Sequence, residues 1–279
     1  MLSACMLFYA PHVIGDNDTA SKYQRIVRLA TTTSTDNSGL LNDLLPAFES
    51  ETGFKVHVIA VGTGKAIRMG RDGDADVLLV HAPAAEIEFV NAGYGDKRVF
   101  VMYNDFVLVG PATNTASITI SDNFSKALQQ IAAHELTFIS RGDNSGTHKK
   151  ELALWKSLDI TPQGGWYREV GQGMGKVLQM ASEMDAYTLA DRGTWLAYQD
   201  KTNLKILNQP DPQLYNPYHI IAVNPVHDPA SNYTGASALI AWISSAPAQS
   251  LIGAFRINNT VLFTPSSSTA KLARQGSSR

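Results

Sequence analysis

The chain has 279 residues, enough for two lobes or one large α/β domain. It is 44% hydrophobic and 17% charged, with a net charge of −2. That is an ordinary globular composition without the basic surplus that draws in nucleic acid. No apolar run is long enough to span a bilayer, and a single cysteine, Cys5, excludes an intrachain disulfide.

Leu2-Ser3-Ala4-Cys5 matches the end of a bacterial lipoprotein signal, without the basic start and apolar core that should precede it. Three readings stay open: a start site placed too far downstream, a short export signal from Leu2 to about Ile14, or a chance tetrapeptide. Residues 1–24 are accordingly expected to be an export-signal remnant or a disordered N-terminus. Beyond them the period of the apolar residues switches repeatedly between strand and helix. Arg25 to Ala30 reads as a strand. Leu40, Leu41, Leu44, Leu45 and Phe48 form one helical face that Thr52-Gly53 ends. Phe54 to Ala60 alternates as a second strand, and Val61-Gly62-Thr63-Gly64 leads into a short helix. Asp76 to Val80 is an apolar strand of the kind buried on both faces, and Pro83 starts a helix through Ala92. This β-α-β-α order predicts a mostly parallel sheet with right-handed crossovers.

Phe100 to Val109 contains two strand-like runs around Asn104-Asp105, punctuated by Gly110-Pro111. Helix Asp122 to Ala133, strand Leu136 to Ile139, a loop at Arg141 and helix Thr147 to Leu158 follow. Then come Tyr167 to Val170, the glycine-rich Gly171 to Gly175, a helix to Glu183, and strand-like Tyr187 to Leu189. Tyr218 to Val223 is another strand. Ala236 to Ile257 is helical with a break at Pro247. The chain is therefore expected to form two α/β lobes joined by a two-strand hinge. Lobe I comprises 25–105 and 221–265, lobe II 106–220, and 266–279 is a low-complexity flexible tail.

Two segments carry the same unusual chemistry. Thr31-Thr32-Thr33-Ser34-Thr35-Asp36-Asn37-Ser38-Gly39 and Ser140-Arg141-Gly142-Asp143-Asn144-Ser145-Gly146-Thr147-His148 each follow a strand and open a helix. A helix N-terminus offers unsatisfied N–H donors and partial positive charge. Short hydroxyl side chains add donors without blocking access. Two such ends facing each other, with Arg141 between them, make a cage for a small anion. Such loops lie at the carboxyl ends of the strands, where α/β lobes hold ligands. Each residue also has a plainer reading. Arg141 could be a structural ion pair with Asp143, the Thr31–Ser34 run a helix cap, and Thr63, between two glycines, a simple turn. One cap needs one hydroxyl, and four in succession exceed that need.

Other motifs fail on spacing. Gly62-Thr63-Gly64-Lys65 lacks the upstream glycine of a phosphate loop, and Ala66 stands where a hydroxyl should bind magnesium. Gly171-Gln172-Gly173-Met174-Gly175 lacks dinucleotide spacing and is expected to be a cleft-lining turn. Gly142 to Gly146 is not the Gly-x-Ser-x-Gly of a hydrolase, and neither His148 nor His81 has a spacing that establishes a triad. Arg141-Gly142-Asp143 has no support as an integrin-binding string. Asp74, Asp76 and His81 straddle one strand without a second ligand pair, so His81 is expected to be a hydrogen-bonded structural residue.

With these residues in view, the chain resembles the extracytoplasmic tungstate-binding proteins of ABC importers, the TupA type. The matching strings are Thr31 to Ser34, Ala60 to Gly64, Asp76 to Pro83, Tyr103 to Phe106, Ser140 to His148, Gly171 to Gly175 and Asn216 to Tyr218. They run in the family's order from about residue 26 to 264. One piece, Arg-x-Asp-x-Ser-Gly-Thr, also occurs in phosphate-binding proteins. The resemblance implies a type II periplasmic-binding-protein fold that captures the oxyanion between its lobes. Its contacts would be Thr32, Thr33, Ser34, Thr63, Arg141, Ser145, Gly146 and Thr147. It further implies a periplasmic or extracytoplasmic receptor, with a lipid anchor at Cys5 as one option, that delivers tungstate to an ABC permease in the membrane.

No catalytic residue, cofactor, structural metal or nucleic-acid partner is expected, and the working form is expected to be a monomer. Tungstate and molybdate are nearly the same size, so the choice of tungstate rests on the resemblance. Molybdate, sulfate or phosphate specificity is the alternative within binding proteins. A cytoplasmic sensor, which lacks room for a helix-turn-helix ahead of the first strand, and a serine hydrolase acting through Ser145 are the alternatives outside them.

Overall fold

A computed structural model describes residues 25–112, 123–143 and 145–267. The expectations for residues 1–24, for Cys5, for the start of the predicted helix at Asp122 and for the chain beyond Ser267 lie outside the described residues.

The first half is built from β-α units. Strand β1 (Ile26–Thr32) leads into a short helix α1 (Thr33–Asn37) and helix α2 (Leu40–Thr52). Strand β2 (Lys55–Val61) precedes α3 (Thr63–Arg71). Strand β3 (Val77–Val80) precedes α4 (Pro83–Asn91), which has proline in its first turn. β1 pairs in parallel with both β2 and β3. All four residues of β3 are buried, as its unbroken apolar run requires of a strand covered on both faces. Leu40, Leu41, Leu44 and Phe48 of α2 cover one face of the sheet, joined by later helices. Ala66 of α3 and Phe89 of α4 cover the other face with Leu78 and Val80.

The two strand-like runs predicted around Asn104-Asp105 form one continuous strand, β4 (Val99–Pro111). Gly110 and Pro111 do not break it, because both still pair across the ladder, with Lys205 and Leu204. The polar pair marks a change of partners instead. Val99–Asp105 lies against β9 (Tyr215–Ala222), and Phe106–Pro111 lies against β7 (Thr188–Asp191) and β8 (Leu204–Ile206).

The second half contains α5 (Phe124–Ala133), β5 (Phe138–Ser140), α6 (Gly146–Ser157), β6 (Tyr167–Glu169), α7 (Met174–Glu183) and α8 (Arg192–Tyr198). Phe106 and Leu108 of β4 face a core with Phe124, Phe138 and Trp155. Val107 and Val109, one residue out of step, face Ile139, Met174 and Trp195. After β9, helices α9 (Tyr233–Ile243) and α10 (Ala246–Ala254) return to the first sheet. The break between them falls at Ser244-Ser245, and Pro247 sits in the first turn of α10. Short strands β10 (Arg256–Ile257), β11 (Thr260–Val261) and β12 (Thr264–Pro265) follow, the last pairing with β4. Ser266 Oγ and the Ser267 N–H both bond Gln249 Oε1.

The α/β class is as expected, but the sheets are mixed. β1–β2, β1–β3 and β5–β6 are parallel, whereas β3–β9 and the pairings of β4 with β7, β8, β9 and β12 are antiparallel. β9 enters the sheet between β3 and β4 from the far half of the chain, so no helical crossover sets its direction. This arrangement places the ends of β1, β2 and β3 at one edge. Thr32, Gly62-Thr63 and His81 emerge there side by side.

Candidate functional site

Thr32 is the hub of the first loop. It caps α1, its Oγ1 accepting from the Thr35 N–H. It also contacts the hydroxyls of Thr35 at 2.7 Å and Ser34 at 3.0 Å, and His81 Nε2 at 3.1 Å. Thr31 is turned into the core, where its hydroxyl donates to the Leu79 carbonyl. Thr33 and Ser34 remain to face solvent space. They line a hollow of about 520 Å³ together with Arg141, Gly173, Asp191 and Tyr198. The glycine turn expected to line the cleft does so, and α7 opens from it at Met174.

Arg141 leaves the end of β5. Its Nε and Nη2 donate to Asp143 Oδ2 at 3.1 and 2.5 Å, and its side chain is 18% exposed. Burial pushes the Asp143 carboxyl up, but bonds from Ser145 and Arg141 outweigh it and hold it below its ordinary value. The salt-bridge reading and the cavity-lining reading are thus both realised, since Asp143 fixes the guanidinium while Arg141 lines the hollow. Gly142 makes the turn between them. Its φ is +61°, and an added Cβ would stand 2.7 Å from Glu169 Cβ.

Ser145 caps α6, its hydroxyl accepting from the His148 N–H. Gly146 and Thr147 form the first turn, with Thr147 buried. Gly146 lies directly against the opposite loop: a Cβ there would be 3.3 Å from His81 Cε1 and 3.9 Å from Thr63 Oγ1. Thr63, His81, Gly146, Lys149, Lys150 and Asn216 line a second hollow of about 500 Å³. Burial pulls the Lys150 ammonium below its ordinary pKa, opposed by Asp211. The two hollows meet where His81 Nε2 comes within 3.4 Å of Ser34 Oγ. Thr33, Ser34 and Arg141 therefore gather on one side of this wall, Thr63 and Gly146 on the other, with Thr32 and Thr147 packed behind.

Several neighbours were not singled out as site residues by sequence reasoning. Asp191 lines the first hollow, its two oxygens accepting from the N–H and hydroxyl of Thr194. Arg192 grips Asp105 through Nε at 2.5 Å and Nη2 at 2.7 Å, where β4 changes partners. Asn216 joins His81 to Asn104, at 3.0 and 2.8 Å. The strings Tyr103 to Phe106 and Asn216 to Tyr218 were the available signal, but only the register of β4 against β9 brings Asn104 opposite Asn216. His81 is hydrogen-bonded, as expected. Asp76, at the other end of β3, is occupied by Arg28, and no cluster of metal-ligating side chains occurs among the described residues.

Two adjoining hollows lined by hydroxyl loops, helix N-termini and a fixed guanidinium have the architecture of a solute receptor for a small anion. A family model described as a PBP superfamily domain matches residues 18–247. A tungstate-binding protein TupA from Peptoclostridium acidaminophilum is 53% identical over 241 residues, 85% of this chain and 84% of its own. The tungstate-binding protein TupA of Desulfovibrio alaskensis G20 superposes with a TM-score of 0.81 at 46% identity, covering 86% of this chain and 98% of that one. The tungstate ABC transporter structure from Geobacter sulfurreducens gives a TM-score of 0.76 at 49% identity, covering 83% and 99%. The chain belongs to the PBP superfamily, in the TupA family of tungstate-binding proteins.

Proposed function

We propose that this protein captures tungstate between its two halves, outside the cytoplasm, and hands it to an ABC importer. The observation that carries the reading is the shared hollow of Thr33, Ser34 and Arg141, with Gly146 and Thr63 closing in from the adjoining one. A tetrahedral dianion needs donors on several sides and a compensating charge. Hydroxyls, first-turn N–H groups and the Arg141 guanidinium supply both. The TupA relatives support tungstate as the anion, and the ABC transporter relative supports the permease partner. Among the described residues no helix is long and apolar enough to cross a membrane. Ser145 serves as a helix cap in this reading, and the protein binds rather than transforms its ligand, as a monomer and without a cofactor.

Ligand capture is drawn as closure of the halves about β4 and β9, which expels water and strengthens each charged hydrogen bond. Phosphate is the second reading, favoured by one observation: Asp191 lines the same hollow and could accept the proton that phosphate keeps at neutral pH. Titration with tungstate, molybdate, sulfate and phosphate separates the readings. Tight one-to-one binding of tungstate with phosphate inert supports the proposal, and phosphate binding alone defeats it.

A further inference from the structure

A hydroxyl has one proton to give, and it serves an anion only when that proton faces the anion. The side chains behind Ser34 decide this. Asn216 Nδ2 donates to Asn104 Oδ1 at 2.8 Å. The Asn216 Oδ1, 3.0 Å from His81 Nδ1, is therefore an acceptor, and His81 carries its proton on Nδ1. The ring is stacked on Tyr218 at 4.7 Å between centroids. The carboxylates of Asp191 and Glu86 act on it from a distance, Glu86 being itself paired with Arg98 and His219. Burial outweighs them and keeps the imidazole below its ordinary pKa. Nε2 is then a bare acceptor facing two hydroxyls, Thr32 at 3.1 Å and Ser34 at 3.4 Å.

Of these two hydroxyls Thr32 is the nearer, and the arrangement assigned here has it give its proton to Nε2. In that arrangement its two lone pairs accept from the Thr35 N–H at 3.2 Å and the Thr35 hydroxyl at 2.7 Å, and Ser34, 3.0 Å away, is left out of the set. Neither Thr32 nor His81 then has a lone pair left for Ser34, whose proton is free to point into the hollow that Arg141 lines. We infer that His81, protonated on Nδ1 and held by Asn216, is a positioning residue that orders the Thr32 hydroxyl so that Ser34 donates to the bound anion. The inference rests on the oxyanion reading above and assigns one donor within it.

Two measurements on the full chain test it. Long-range ¹H–¹⁵N spectra at pH 7, with the His81 signal identified by its loss in His81→Asn, should show a neutral ring protonated on Nδ1. A proton on Nε2, or on both nitrogens, would overturn the inference without touching the oxyanion reading. In titrations with tungstate, His81→Asn keeps a donor near Asn216 but offers Thr32 no acceptor. It should bind about ten- to a hundredfold more weakly. His81→Gln returns a carbonyl oxygen near the Nε2 position and should recover most of that loss. Equal loss in both variants, or none in either, overturns the positioning role. Wild-type protein that binds no oxyanion overturns the underlying reading as well.

Discussion

Arg141 is four-fifths covered and clamped by Asp143, so its charge is presented to the hollow at a fixed place. Replacing it with alanine removes charge-assisted bonds each worth roughly 1.5–3 kcal/mol. Tungstate affinity should fall by about two to three orders of magnitude in calorimetric titration, with the far-UV spectrum unchanged. Gly146→Ala probes the opposite wall. The new methyl would sit 3.3 Å from His81 Cε1, so the ring must give by a few tenths of an ångström and its contacts with Thr32 and Ser34 loosen. About tenfold weaker binding is expected, and unaltered affinity would argue that Gly146 lies outside the closed site. Arg141 and the hydroxyl runs were legible in the sequence because each run carries its chemistry locally. His81 was read only as structural because its partners lie far off in sequence, 49 residues away at Thr32 and 135 away at Asn216.

At the scale of elements, the helices and strands of the first half, the five-residue α1 apart, were legible to within a few residues, since apolar period and caps are local signals. α8, β8 and the two-residue strands β10 to β12 were missed, and Arg256–Ile257, expected as the end of a helix, is β10. α8 is seven residues long, with Gly193, Thr194, Ala197 and Tyr198 lining the hollow, and β8 is three residues held by β4. Neither is long enough to show a period. The loop between β5 and α6 depends on Gly142, whose φ of +61° and contact with Glu169 leave no room for a side chain. Gly142→Ala should cost about 1–3 kcal/mol in denaturant unfolding.

Behind that loop, Glu151 of α6 is buried and accepts from the Tyr167 hydroxyl at 2.7 Å. Burial, the dominant cause, pushes its pKa up to about 7. The folded state thus holds a proton that the unfolded chain releases near the ordinary glutamate value. The associated stability is full below about pH 4.5 and is lost as pH rises through about 7. Relative to Glu151→Gln, the wild type should lose on the order of 3 kcal/mol between pH 5 and pH 8 in denaturant melts. A parallel pH dependence in both proteins would show that Glu151 is not the group responsible.

For the molecule as a whole, β4 is the element that ties the halves together. One strand pairs with β9 and β12 along its first part and with β7 and β8 along its second, and the Arg192–Asp105 pair sits at the changeover. The sequence foretold α/β architecture and oxyanion chemistry, but not that the two strand-like runs are one strand. That continuity comes from pairing with four partners drawn from distant parts of the chain. A ligand held only by the folded, closed form stabilises it by mass action. At a hundredfold excess over Kd the gain is about 2.7 kcal/mol, which for a chain of this size raises Tm by roughly 5–10 °C. The most direct test of the central claim is calorimetric titration of ligand-stripped protein with tungstate and with phosphate, wild type beside Arg141→Ala. The account predicts tight one-to-one tungstate binding in the wild type, none measurable with phosphate, and its collapse in the variant. Tungstate binding unaffected by the loss of Arg141, or a wild type that ignores tungstate, would contradict it.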